Sequence, residues 1–183
     1  MNHAKINKLL PVVLALLSIV LFTTLILQHE KHLQQGRSIY VELQPVDPRS
    51  ILQGDYMALD YDLKLHDMNQ QQIRNQSKVV SYVYLDMKHR VLKTRLDEKD
   101  TAAESTQVVK LILKNPNNQL DSLYPAANSF LFAEGLEPCY AKAKYAHLRV
   151  QPSGQALLAG LVDARLQSLN CEQQQKWSEG TAG

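Results

Sequence analysis

Hydrophobic and polar residues alternate along several short segments of the chain, a pattern typical of half-buried β-strands. Over residues 38–44, the apolar side chains of Ile39, Val41 and Leu43 alternate with polar ones. A longer alternation runs from Asp55 onward, and its apolar positions are Met57, Leu59, Tyr61, Leu63 and Leu65. We therefore predict two strands here, of which the second is the most clearly patterned in the chain.

The remaining strands are shorter or apolar on both faces. Segment 78–87 is rich in β-branched and aromatic residues, as expected of a central strand. The other predicted strands are a hairpin partner at 90–96, a strand at 106–114, a short strand at 128–135 and two strands within 147–163. Residues 155–169 also fit a helix, and that alternative stays open. Residues 66–76 form a loop or a short helix, and 137–146 hold one or two helical turns. The predicted fold is mainly β, an antiparallel barrel- or sandwich-like domain with short helices.

One segment does not alternate. Residues 9–27 contain no charged side chain, and Pro11 lies in the first turn, where a missing N–H is tolerated. A helix of this length spans about 30 Å, the thickness of a bilayer core. No small-residue cleavage site follows it, so we predict an uncleaved transmembrane signal anchor.

The anchor divides the chain into five parts. They are a cytoplasmic N-terminus at 1–8, the transmembrane helix at 9–27, a juxtamembrane linker at 28–37, the β-rich domain at 38–173 and a disordered tail at 174–183.

Charge predicts the orientation of the anchor. Lys5 and Lys8 precede it and no acidic residue occurs before Glu30, so the N-terminus is predicted to be cytoplasmic and the domain to lie outside. Beyond the anchor there are 18 basic and 18 acidic residues. Such a balanced domain has no basic field for nucleic acid. We expect the membrane to be a partner and nucleic acid not to be one.

Cys139 and Cys171 are the only cysteines, and both lie in the predicted outer domain. An even pair in an oxidising compartment indicates a possible disulfide, although two unpaired thiols remain the alternative.

Residues 45–55 combine two prolines, acidic residues, an arginine and a glycine immediately before the long alternation. Pro45 and Pro48 cannot donate to a sheet, and Gly54 permits a positive φ. We predict a rigid corner in which Asp55 accepts hydrogen bonds from Arg49 and from turn amides. Leu59 and Tyr61 then belong to the core. The tyrosines of the predicted strands are also expected to pack within the sheet rather than form a ligand cage; they are Tyr56, Tyr61, Tyr82 and Tyr84.

Residues 54–61 spell G-D-Y-x-x-L-x-Y, and the stretches before and after it, "PVDPRSILQ" and "SFLFAEG", fit the same pattern. The chain thus resembles the GDYXXLXY family of bacterial membrane-anchored proteins, except that Ala133 replaces the usual proline before the late Glu-Gly pair. The matching positions are Pro45, Asp47, Pro48, Arg49, Gly54, Asp55, Tyr56, Leu59, Tyr61, Glu134 and Gly135.

The resemblance implies a bacterial source and a cytoplasmic-membrane location. With the orientation predicted from charge, the domain is then expected in the periplasm. The family's function is uncharacterised, and its members tend to be encoded beside polytopic membrane proteins.

We find no complete catalytic or metal-ligating set in the sequence and expect no cofactor. The segment around Ser50 resembles the nucleophile strand of signal peptidase-like enzymes, but the serine is displaced from the expected position. The leading hypothesis is a non-enzymatic accessory partner of a polytopic membrane protein. The alternative is a periplasmic ligand-binding module or hydrolase related to signal peptidase-like β folds.

Overall fold

A computed structural model describes residues 3–44, 56–98 and 107–172. The chain forms two compact units, Met1–Gly36 and Arg37–Gly183. The predicted tail at 174–183 and the predicted corner at 45–55 lie outside the described residues.

The first unit contains one helix, α1, at His3–Gln35. Its stretch Val13–Gln35 is long and apolar enough to cross a membrane. The hydroxyls of Ser18, Thr23 and Thr24 each donate to a carbonyl three or four residues earlier, at 2.8–2.9 Å. The helix therefore satisfies these polar groups internally, as a hydrocarbon environment requires.

The second unit is built mainly from antiparallel strands, as predicted. The strands are β1 (Arg37–Leu43), β2 (Tyr56–Ala58), β3 (Tyr61–Asp62), β4 (Lys78–Leu85), β5 (Val91–Arg95), β6 (Gln107–Lys114), β7 (Ser129–Leu131), β8 (Tyr145–Val150) and β9 (Ala156–Val162). They form a four-stranded sheet in the order β3-β1-β8-β9, a three-stranded sheet in the order β5-β4-β6 and a β2-β7 ribbon.

The larger sheets curl around one core. Isolated bridges pair Tyr40 with Arg90 and Leu65 with Thr94, so β5 lies beside the four-stranded sheet. The most deeply buried side chains come from both sheets and include Ile39, Leu148, Val83 and Leu111. β4 occupies the centre of its sheet, which confirms the prediction for 78–87.

The loops that the structure describes contain three short helices: α2 at Gln70–Ile73, a single 3₁₀ turn at Leu120–Ser122 and α3 at Glu137–Tyr140. α2 begins with a capping box in which Asn69 and Gln72 exchange hydrogen bonds between side chain and backbone. Its Ile73 is fully buried, so the polar segment is attached to the core by one side chain.

Two sequence expectations are settled by the strand pairing. The prediction of one continuous strand from Asp55 to Leu65 is wrong, because β2 pairs with β7 whereas β3 pairs with β1. Leu59 and Asp60, which connect β2 to β3, belong to no strand. After β3, Lys64 has a positive φ of 48°. The strand alternative for 155–169 is confirmed by β9, and the helix alternative is wrong.

Candidate interaction surface

The structure describes some of the motif positions and not the others. Six of them lie outside the described residues, so the predicted corner with its Asp55–Arg49 interaction stays a prediction; they are Pro45, Asp47, Pro48, Arg49, Gly54 and Asp55. The structure describes the other five, and it gives them three different environments.

Leu59 and Tyr61 belong to the core, each with 7% of its surface exposed. The Tyr61 hydroxyl donates to the carbonyl of Ala127 at 2.6 Å, and the Leu59 amide donates to the carbonyl of Asn128 at 2.9 Å. Burial raises the pKa of Tyr61, so the phenol stays protonated and keeps this bond. These two positions attach the motif to the loop before β7.

Tyr56 has a different environment. It is 43% exposed and stands directly opposite Leu131 in the β2–β7 ribbon, and Leu131 is 75% exposed. Tyr56 therefore lies on a strand, as expected, but on its exposed face rather than in the core. The two side chains form an exposed apolar surface, which we call the Tyr56–Leu131 patch.

Glu134 and Gly135 form the turn between β7 and α3. Gly135 has a φ of 83°, a conformation that favours glycine, and its amide faces the Glu137 carboxylate at 3.4 Å. Glu134 is exposed. A backbone requirement thus accounts for the glycine, whereas nothing in the structure accounts for the glutamate.

In the structure Cys139 and Cys171 form a disulfide with 5.9 Å between their Cα atoms. The bridge connects α3 to the segment that follows β9, and Cys171 is buried. Whether the thiols are oxidised in the cell stays a prediction.

A cavity of about 210 Å³ lies beside the motif, lined by Leu59, Asp60, Tyr61, Asp121 and Asn128 among others. Typical small-molecule pockets are larger, about 300–1,000 Å³. Across residues 3–44, 56–98 and 107–172, no three histidine, cysteine or acidic side chains come together in a way that could hold a metal ion.

The outer face of the four-stranded sheet carries a polar group that the sequence analysis missed. Ser38 Oγ lies 3.0 Å from His147 Nε2 and accepts a hydrogen bond from Arg149 at 2.6 Å. Tyr40 stacks on the His147 ring at 4.9 Å. Burial, followed by the charge of Arg149, lowers the pKa of His147. The neutral imidazole can therefore accept the serine proton.

Farther along the same face, Glu42 bonds Lys144 at 2.9 Å and Lys64 at 3.1 Å. The Lys144 bond is the main reason that the pKa of Glu42 is lowered, and Lys64 adds to it against the effect of burial. The only sequence signal for this polar face was the alternation itself, which predicts the outward positions of a strand but not which strand lies beside it.

A family model described as "GDYXXLXY protein" matches residues 18–161. No curated protein matches the chain. No solved structure matches it either.

Proposed function

The chain belongs to the GDYXXLXY family, and from that premise we propose that it is a non-enzymatic accessory protein that docks on a polytopic membrane protein. Its helix α1 anchors it in the bacterial cytoplasmic membrane, with the N-terminus inside and the domain in the periplasm. The Tyr56–Leu131 patch is the docking surface.

The orientation is supported by charge and by cysteine chemistry. Lys5 and Lys8 precede the apolar segment, and cationic flanks are retained on the cytoplasmic side. The Cys139–Cys171 disulfide is compatible with an oxidising compartment such as the periplasm.

The observation that carries the docking proposal is the exposure of Tyr56. Leu59 and Tyr61 have structural roles in the core, which explain why a motif would specify them. Tyr56 is exposed beside an even more exposed leucine, so the domain's own packing does not explain an aromatic residue there. Tyrosine is enriched at protein interfaces because it combines apolar area with a polar tip. The choice of a polytopic partner rests on the family resemblance.

Site-specific photocrosslinking in native membranes tests this proposal. A photoreactive phenylalanine analogue replaces Tyr56, Leu131 or, as the control, Met87, which is 85% exposed on the turn after β4. We expect adducts with one polytopic protein from the first two positions and not from Met87. Tyr56→Ser should also reduce co-purification of that protein at equal expression, whereas Met87→Ser should not. Identical adducts from all three positions would exclude the patch as the docking surface.

A second candidate, a serine hydrolase, is favoured by one observation, the 3.0 Å contact between Ser38 Oγ and His147 Nε2. A serine next to a neutral imidazole is the core of an activated nucleophile. Arg149 would stabilise a developing oxyanion. In the structure, however, Arg149 donates a hydrogen bond to Ser38 Oγ and so occupies one lone pair of the nucleophile.

Labelling of the membrane-embedded protein with a fluorophosphonate tests the hydrolase. An active Ser38 predicts labelling that is lost in Ser38→Ala and slowed in His147→Gln. Ser168→Ala is the control, because Ser168 is an exposed serine whose hydroxyl donates to the Asn170 side chain and lies beside no histidine among the described contacts. Absence of labelling in the wild type rejects this candidate.

A further inference from the structure

The outer edge of β9 differs from the edges of ordinary sheets. β9 is the terminal strand of the four-stranded sheet, and within the part of the chain that the structure describes no strand pairs with that edge over residues 156–160. Among the described residues, its C-terminal part is covered by the Val162–Ser168 bridge and by a bond from the Leu169 amide to the Leu161 carbonyl. The strand Ala156–Val162 contains no charged residue. Edge strands usually carry charges that prevent pairing with another chain.

Gly160 lies within this edge without a structural reason for being glycine. Its φ is not in the left-handed region, and a Cβ added there would meet no atom within 4 Å. Gly154, in the turn before β9, is different, because its φ is 93° and a Cβ would come within 3.2 Å of Ile112. A strand glycine without such constraints marks a place where another backbone can approach closely.

A cavity of about 210 Å³ opens beside Gly160. Phe130 and Tyr140 line it, with their rings in edge contact at 5.0 Å, and Ala159 forms part of the wall. Ala159 has no partner on β8, because the ladder shifts register at that point. The cavity therefore offers an apolar space next to a bulged strand edge, large enough for one apolar side chain.

The same cavity has an acidic end. Glu172 lines it, and its negative charge adds to burial in raising the pKa of Tyr140. Its other polar neighbours, Ser168 and Asn170, are uncharged. A ligand that fits this arrangement places an apolar group near Gly160 and a positive charge near Glu172.

We infer that the outer edge of β9 accepts an extended peptide segment of another protein as an added strand. One apolar side chain of that segment fills the cavity beside Gly160, and a lysine or arginine close to it faces Glu172. Backbone hydrogen bonds to the β9 edge hold the segment, while the cavity and the carboxylate select its sequence. The charge at Glu172 favours a basic segment over a second copy of uncharged β9.

This site is separate from the Tyr56–Leu131 patch. Phe130 and Leu131 are adjacent in β7, so their side chains point to opposite faces of the ribbon. The inference therefore does not depend on the proposed docking surface, and Tyr56→Ser should leave peptide binding at β9 unchanged.

Fluorescence anisotropy of labelled peptides tests the inference by measuring their binding to the full chain in lipid nanodiscs. The probe is a capped nonapeptide of alternating valine and threonine, with leucine at its centre and lysine two residues later. Three comparison peptides carry glutamate in place of lysine, N-methylated alternate amides, or the β9 sequence itself. We expect the lysine probe to bind best, and the N-methylated form not to bind because it cannot complete the ladder.

Two variants test the contacts. Gly160→Val adds a Cβ that would meet no atom within 4 Å outside its chain neighbours, so it should keep the wild-type melting temperature and lower affinity at least about tenfold. Glu172→Gln should abolish the preference for lysine over glutamate. Gln107→Val, at an exposed strand position away from this cavity, and Glu98→Gln are the matched controls and should bind like the wild type.

Three results would overturn the inference. They are no binding of any probe at millimolar concentration, wild-type affinity in Gly160→Val, and tighter binding of the β9 peptide than of the lysine probe. The last result would identify the occupant as a second copy of this chain.

Discussion

Strand β1 and the segment 56–65 have the same alternation of apolar and polar residues, yet they are used differently. Both bury their apolar positions, with Leu43 and Leu59 each 7% exposed. β1 pairs continuously with β8 from Arg37 to Glu42. The segment 56–65 instead contacts β7, β1 and β5 in turn.

The difference shows that alternation determines burial and not pairing. Side chains alternate across any extended backbone, so the apolar set faces the core whichever strand lies beside it. Partners change where the backbone bends, and here the Leu59 amide bonds Asn128 in a loop while Lys64 adopts a positive φ. The segment 56–65 is thus a connection between sheets that retains the burial pattern of a strand.

The largest expected effect comes from truncating the matched leucines. Leu43→Ala and Leu59→Ala remove the same atoms at equal exposure, so each should cost about 2–5 kcal/mol of unfolding free energy through the cavity left behind. Urea unfolding of the detergent-solubilised chain measures both. If Leu59→Ala costs less than about 0.5 kcal/mol while Leu43→Ala is destabilising, the two regions are not equivalent in burial.

Tyr61→Phe tests the bond that attaches this segment to the loop before β7. Loss of the hydroxyl leaves the Ala127 carbonyl without this donor and should cost about 1–2 kcal/mol near neutral pH. Tyr82→Phe, a half-buried strand position, should stay within about 0.5 kcal/mol.

The pH dependence of Tyr61→Phe provides a second measurement. The folded-state pKa of Tyr61 is raised by burial above the ordinary value of 10.0, so the folded state retains a proton that the unfolded state loses. Wild-type stability should therefore fall as pH rises above about 10, and Tyr61→Phe should lose that part of the dependence. Identical alkaline profiles would contradict the assignment.

The sequence predicted much of this fold because its strands are short and regularly patterned. β1, β4, β5, β6, β8 and β9 lie where alternation and turn residues indicated them. The partition of strands into sheets was not predictable, because β1 pairs with β8 across most of the chain and local periodicity contains no such information. The Ser38–His147 contact was missed for the same reason.

The role predicted for Asp55 is visible elsewhere, at Asp86 in the β4–β5 turn. Its carboxylate accepts from the amides of Lys88 and Arg90 at 2.8 Å and from the Arg90 side chain at 2.7 Å. Burial raises the pKa of Asp86, but these hydrogen bonds outweigh burial, so the pKa is lowered overall. An aspartate followed by two to four turn residues was a recognisable sequence signal for this arrangement.

Glu42→Gln removes the ionic contact between the two compared regions together with the Glu42–Lys144 bond on the same face. Glu42 on β1 bonds Lys64, which follows β3, and both side chains are partly exposed, so the loss should be at most about 1 kcal/mol. The folded-state pKa of Glu42 is lowered, so this contribution should be present at neutral pH and disappear as pH falls below 4.5, the ordinary value. Glu134→Gln, at an exposed turn position, should show no such loss. Equal stability of wild type and Glu42→Gln at pH 7 would show that the two ion pairs of Glu42 do not stabilise the fold.

The smallest effect on stability is expected for Tyr56→Ser. Its ring is 43% exposed, so the unfolding free energy should change by less than about 0.5 kcal/mol. Thermal unfolding of the wild type, Tyr56→Ser and Tyr61→Phe, measured side by side, compares the two losses of stability. A loss above about 1.5 kcal/mol would show that Tyr56 is structural and would remove the argument for the docking patch.

The pairing of β1 with β8 has a consequence for biogenesis. Ile39 and Leu148 are cross-strand neighbours although 109 positions separate them in the chain. Contacts this distant in sequence slow folding, because the intervening loop must be closed before they form. A ribosome adds about 5–20 residues per second, so β1 waits roughly 5–20 seconds for its partner strand to be synthesised. During that interval the edge of β1 that pairs with β8 has no native partner.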